Sequence, residues 1–328
     1  MNNLKKVGLS ALAGSLVAFS AQAMDMSVSG TAKITYVDEG EGSAGKTDVT
    51  GNPYGFDQTV AFNGSGETPL GTVSLMHVHA AAALSSSLLS IDMGDSGKIT
   101  LDNGVGADGA GTIKDMMPRA AGAEQSWDDT DGDAYFIDTP TAGAWGYSNS
   151  VAGYNVSLGY AKNGGNMTGD DANADGGDDS SKSFAITSAS MMDGLNVGVG
   201  YASNDNATST DTDKESTVFA TYAVGPITLG YQLTDINTAG DDATSALYGI
   251  SMNINDNASI SYNARDVEIG DQIAVNGTAL VDQEDSGIGA SYTMGNMTLS
   301  AFNNQSENIG GTSGKDDEVT QVTLSFAF

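Results

Sequence analysis

The side chains best equipped for chemistry are carboxylates, and their most suggestive run lies between Asn103 and Thr141. That segment carries Asp108, Lys114, Asp115, Arg119, Glu124, Asp128, Asp129, Asp131 and Asp133, and it shows no alternation of apolar and polar positions. Within it, Asp129-Thr130-Asp131-Gly132-Asp133 presents closely spaced hard oxygen ligands around a glycine turn, the donor set that Ca2+ prefers. The distal bidentate Glu of a complete EF-hand is missing at its spacing. Asp129, Asp131 and Asp133 are thus candidate Ca2+ ligands, and they suit a plain solvated acidic loop equally well. A second acid cluster, Asp170-Asp171 and Asp175 to Asp179, has no fixed spacing. His77 and His79 share one face of an extended chain and could reach one metal. With no third ligand indicated, a place in a lumen wall or in packing serves them as well.

Bond-making chemistry finds little support. There is no cysteine, so thiol nucleophiles, thiolate metal sites and disulfides are excluded. Any Ser–His triad would have to use one of only two histidines, and nothing marks a nucleophilic serine. Acids are too numerous to single out a glycosidase pair, and no strand–Gly–Lys–helix phosphate cradle occurs. The chain reads as a non-enzyme with no required cofactor.

The acids number 42 against 12 Lys and Arg. Residues 1–23 read as a cleaved secretory signal: basic Lys5 and Lys6, an apolar middle from Val7 to Phe19, and the small-residue site Ala21-Gln22-Ala23. Without it, residues 24–328 keep ten basic side chains. Such a balance excludes nucleic acid, whose binding rests on Lys and Arg neutralising phosphates. It also argues against docking on anionic lipid through a basic patch.

The elements that must position these groups are strands. From Glu318 to Phe328, Val322, Leu324, Phe326 and Phe328 fall on one face and Gln321, Thr323, Ser325 and Ala327 on the other. Leu195, Val197, Val199 and Tyr201 oppose Asn196, Gly198 and Gly200. Ile227, Leu229, Tyr231 and Leu233 oppose Thr228, Gly230, Gln232 and Thr234. Hairpins are expected across Ala152-Gly153, 191–194, Gly225-Pro226, 255–257 and Gly295-Asn296, where Gly, Asn or Pro supplies the turn angles. Earlier, strands are expected near 26–37, 54–62, 70–80, 86–93 and 98–102, with a turn at 63–69. Residues 80–89, rich in Ala and Leu, also fit a short helix. Long acidic, Gly-rich loops at 163–181, 205–214, 237–243, 268–285 and 306–317 alternate with the tight turns. About sixteen strands of roughly ten residues result, with no apolar run after the signal long enough for a membrane helix. Greasy rows could meet lipid around a barrel or fill the core of a sandwich, and alternation alone does not separate the two. Tyr36, Tyr160, Tyr201 and Tyr231, all on the apolar face near the loop ends, suit an interfacial belt.

Taken together, a signal peptide, about sixteen alternating strands, an oversized loop after the fifth and a terminal Phe resemble the general diffusion porins of Gram-negative bacteria, closest to the alphaproteobacterial type. The resemblance implies an all-β, transmembrane, antiparallel up-and-down barrel in the cell outer membrane, surrounded by outer-membrane lipid and lipopolysaccharide. It further implies that the 103–141 loop folds inward as a constriction, that three barrels associate as a homotrimer, and that Phe326 and Phe328 act as an assembly signal. One departure stands out. Such porins set loop acids against a ladder of basic residues, yet the only arginines here are Arg119 and Arg265. By strand parity Lys33, Lys98, Asp102 and Arg265 face the lumen, a thin basic wall. An acid-dominated ring favours cations, so the expectation is a passive pore for small hydrophilic solutes and cations. The alternative is a plugged surface barrel whose acidic loops bind divalent cations.

Overall fold

The computed structural model describes residues 25–40, 51–81, 83–106, 108–128, 130, 135–137, 139, 142–162, 180–205, 212–238, 242–270 and 279–328. The expected signal, Asp129, Asp131, Asp133 and the 170–179 acid cluster lie outside the described residues. Sixteen strands follow in chain order: β1 (Asp25–Glu39), β2 (Tyr54–Thr68), β3 (Gly71–Ala80), β4 (Ala83–Asp92), β5 (Lys98–Asn103), β6 (Ala142–Val151), β7 (Tyr154–Lys162), β8 (Ser180–Ser188), β9 (Leu195–Asp205), β10 (Thr212–Val224), β11 (Ile227–Asn237), β12 (Asp242–Asn253), β13 (Ala258–Ile269), β14 (Gln283–Met294), β15 (Met297–Glu307) and β16 (Asp317–Ala327). Each pairs antiparallel with its sequence neighbours, and β16 returns to β1, so the sheet is a closed up-and-down barrel.

Closure depends on the last residues. Ala32, Ile34 and Tyr36 stand opposite Phe326, Leu324 and Val322. Past this ladder, Phe328 N–H donates to Gly30 O (3.0 Å) and Gly30 N–H donates to Phe328 O (2.8 Å). The Phe328 ring covers Gly30, where a Cβ would sit 2.7 Å from the ring. Joining both edges leaves no unpaired strand.

Faces distinguish barrel from sandwich. Ile288 is 60% exposed and Leu229 45%, whereas the polar Gln232 and Thr234 are fully buried. The apolar rows point out and the polar rows point in, the order a bilayer-spanning barrel requires. Aromatic residues pair across neighbouring strands toward the loop end: Tyr36 with Tyr54, Phe184 with Tyr201 and Tyr231 with Tyr248, ring centroids 5.7, 6.1 and 5.4 Å apart. Trp145 stands opposite Tyr160 in the same manner.

Two local expectations change. The run 63–68 continues β2, and the turn narrows to Pro69-Leu70, set by Leu70 N–H donating to Thr68 Oγ1 (3.2 Å) while Thr68 Oγ1 donates to Gly71 O (2.8 Å). The Ala- and Leu-rich stretch is strand β4, because ladder partners on β3 and β5 outweigh a weak helical propensity. Its link to β3 is tight, with Ala81 at φ 50° and its N–H donating to Gln58 O (2.9 Å). The expected alternation of long loops and short turns thus fails at this corner, and the β11–β12 connection, 238–241, is as short as the β12–β13 turn, 254–257.

Candidate functional site

The chain leaves the wall after β5 and rejoins it at β6, and the described residues 108–128 between them lie inside the barrel against the inward faces of β7 to β15. Nothing about this path is periodic, so it is held by side chains of the wall reaching its backbone. Ser157 on β7 and Ser183 on β8 accept from Gly109 N–H (2.9 Å) and Ala110 N–H (3.3 Å). Gln232 on β11 donates to Ile113 O (3.2 Å) and Lys114 O (2.9 Å) and accepts from Met116 N–H (2.9 Å). Asn263 on β13 donates to Pro118 O (3.0 Å), and Ser259 accepts from Ala121 N–H (3.2 Å). Asn304 on β15 donates to Gln125 O (2.6 Å) and Asp128 O (3.1 Å). A buried loop backbone must find such partners, since unpaired amides away from water are costly. Close approach needs a flat wall. A Cβ at Gly230 would lie 2.5 Å from Pro118 Cδ, and one at Gly249 2.7 Å from the same atom.

The far half of the loop is pinned by an ion pair beneath aromatic rings. Arg265 and Asp285 are both fully buried on β13 and β14, with Nε to Oδ2 at 2.7 Å. Gln283 donates to both Asp285 oxygens (3.2 and 3.1 Å). The guanidinium lies 4.9 Å from the Phe136 ring centroid and 5.7 Å from that of Trp127. Trp127 and Phe136 cluster in turn with Met117 and Leu247. Arg265 thus faces inward, but its charge is covered by the loop and matched by Asp285.

Further charges in contact with the interior lie both on the loop and on the wall. Arg119 Nη1 is 3.1 Å from Glu124 Oε2 and 3.7 Å from Asp128 Oδ2. Asp115 accepts from Trp127 Nε1–H (3.1 Å) and Met117 N–H (2.9 Å). With Lys114 these groups line an open recess of about 540 Å³. Burial raises the Asp115 carboxyl above its ordinary value, against the pull of its hydrogen bonds and of Arg119. Burial pushes Asp128 up to about 6, opposed by the Gln125 N–H and reinforced by Glu124 and Asp115. Toward the turn end, a second recess of about 630 Å³ is lined by Asp92, Lys98, Thr112, Met116 and Ser148. Beside it Asp108 accepts from Thr100 Oγ1–H (2.5 Å), and burial raises its carboxyl.

Among the other sequence candidates, Lys33 lies on the inward face opposite Asp57 and Ser325, and Lys98 opposite Asp92 and Ser148. Asp102 is fully buried and accepts from Val105 N–H (2.8 Å). Asp129, Asp131 and Asp133 are not described, and among the described residues no three His, Asp or Glu side chains could hold a metal ion. His77 and His79 face outward, their rings 5.1 Å apart, in register with Phe62 and Val60. This corrects a lumen-wall placement, for β3 presents Met76 and Val78 inward. Phe326 and Phe328 face outward at the closing seam. The wall residues that seat the loop, Gln232, Asn263 and Asn304, escape sequence reasoning. Their only signal is a large amide on a strand face whose neighbouring positions are mostly Gly, Ser and Thr, with Arg265 beside Asn263 and Phe302 beside Asn304.

No protein-family model matches this chain, and no curated protein is similar to it in sequence. Solved structures are similar in fold. Salmonella typhi OmpF in complex with daunomycin superposes with a TM-score of 0.64 at 14% identity, covering 92% of this chain and 97% of that one. An anion-selective porin from Comamonas acidovorans gives 0.61 at 15% identity, covering 93% and 100%. A porin refined at 1.8 Å resolution gives 0.62 at 15%, again covering 93% and 100%. At such identities the likeness is one of architecture: a sixteen-stranded antiparallel barrel with a long segment after the fifth strand, the porin fold.

Proposed function

We propose that the chain forms a passive, water-filled pore in a Gram-negative outer membrane, admitting ions and small hydrophilic solutes with a preference for cations. The observation that carries this reading is the fate of the two arginines. Arg265 is cancelled by Asp285 under the loop, Arg119 is shared between Glu124 and Asp128, Lys33 and Lys98 stand opposite Asp57 and Asp92, and Asp115 adds further acid to the interior. A charge of one sign at a narrow passage enriches its counterion. The wall, the inward loop and their charges act without any bond chemistry. The anion-selective relative shares the fold, so the sign follows from these side chains and not from the architecture.

Homotrimeric assembly has separate support. The outward faces of β2 to β4 carry Gln58, His77, His79 and Ser87, polar groups that acyl chains cannot satisfy. A second copy would cover them, and OmpT of Vibrio cholerae, 12% identical with a TM-score of 0.63, is described in a trimer form. The test of function is reversal potential across planar bilayers in a salt gradient. Discrete steps with cations more permeant are expected. A clear anion preference overturns the charge argument, and a barrel with no steps supports a plugged surface protein.

A further inference from the structure

Net charge argues against a basic lipid-docking patch, but strand register collects basic residues on one arc of the outer surface. Lys182 on β8 and Lys214 on β10 stand directly opposite Ser203 of β9, one on each side. All three point outward, and both lysines are exposed. Two strand spacings of about 4.8 Å put the two lysine backbones roughly 10 Å apart. Tyr160 of β7 lies beside Lys182 in the same row, and the Phe184–Tyr201 ring pair lies one step toward the apolar band. Exposed Lys162, opposite Ser180, extends the arc by one more strand.

Among the described residues, two carboxylates share the arc. Asp205 is held by Ser180 Oγ–H (2.9 Å) and Thr212 Oγ1–H (3.3 Å), and Asp235 stands opposite Ser216. Among the described residues no carboxylate comes within 4.0 Å of either Lys182 or Lys214. Elsewhere on the outer rim the sign is opposite: Asp266, Glu284 and Glu307 stand in one row across β13 to β15. Three of the ten basic residues after the leader thus share one stretch of rim.

We propose that the β7–β10 arc is a docking site for the phosphate-bearing headgroup of an outer-leaflet lipid, with Lys182 and Lys214 as its principal contacts. Location selects the occupant. An aromatic pair marks the level where acyl chains give way to headgroups, and lysines just beyond it lay their methylenes on the apolar surface while their ammonium groups reach phosphate. Ser203, between them, offers a hydroxyl donor. The site rests on the outer-membrane placement proposed above.

Binding of bisphosphorylated lipid A in mixed micelles to the full barrel tests it, with dephosphorylated lipid A and inorganic phosphate as separate arms. Each lysine near a charged lipid surface is worth about a factor of five. K182Q/K214Q should therefore weaken the bisphosphorylated lipid about 30-fold, matching the loss caused by removing the phosphates, while K315Q stays at wild type. Binding by K182Q/K214Q within twofold of wild type overturns the site, and equal competition by inorganic phosphate overturns the lipid as its occupant. Planar-bilayer steps from the same preparations separate the two failures. A barrel giving no steps removes the reading beneath this site, whereas normal steps with unchanged lipid binding remove this site alone.

Discussion

Arg265→Ala should release the far half of the interior loop. The guanidinium is fully buried, 2.7 Å from an equally buried Asp285 and beneath Phe136 and Trp127. Removing it strands a carboxylate that keeps its two contacts from Gln283. Breaking one partner of a buried pair costs about 3–5 kcal/mol, to which loss of a desolvated cation–π contact adds up to ~2 kcal/mol. The barrel ladder need not open to relieve this, because lifting the loop lets water reach Asp285. With two tryptophans in the chain, W145F leaves Trp127 as the single emitter. In that background R265A should shift emission to the red and admit a water-soluble quencher. R265M/D285L, which removes both charges and retains volume, should restore the blue emission to within about 1 kcal/mol of wild-type anchoring. Unchanged Trp127 emission in R265A would refute the latch. A double variant as loose as the single would show that packing, not the stranded carboxylate, is responsible.

Cation preference should fall with pH in a window set by Asp128. Its carboxyl, raised to about 6 by burial, is ionised above that pH and neutral below it, so preference is full near pH 8 and declines through pH 6, ahead of ordinary carboxylates. One charge about 5 Å from a permeating ion in water is worth ~0.8 kcal/mol, about a fourfold change in permeability ratio. D128N should show the reduced ratio at pH 8 and no step near pH 6, and a D128N profile like wild type would contradict the assignment. Deleting Phe328 removes the two hydrogen bonds to Gly30 and the ring above it, each bond worth about 1 kcal/mol. The folded fraction in heat-modifiability gels should drop, and recovery at the wild-type level would deny the terminal residue a part in closure.

The wall was largely readable from residue order because its physics is local and periodic. Ile227 to Leu233 alternate as a strand with one wet face must, and Ala152-Gly153, Gly225-Pro226 and Gly295-Asn296 all mark turns that the structure has. Parity also indicated that Arg265 points inward. Its fate was not legible, because Trp127 and Phe136 belong to a segment without a period and reach Arg265 over more than a hundred residues of chain. Where propensity and pairing disagreed, at 80–89, the neighbours on β3 and β5 decided, and no local signal carries that information. The lysine arc is a similar case: Lys182 and Lys214 are far apart in sequence and meet only through the register of β8, β9 and β10.

The account stands on the polar face and the inward loop bordering an aqueous passage while the apolar face meets lipid. Because the chain has no cysteine, single cysteines can be placed at Arg119 on the loop and at Ile288 on the outer face, and each exposed to a charged, membrane-impermeant thiosulfonate during single-channel recording. Stepwise loss of current at R119C with silence at I288C is the expected result. Block at I288C, or no effect at R119C in a conducting channel, would contradict it.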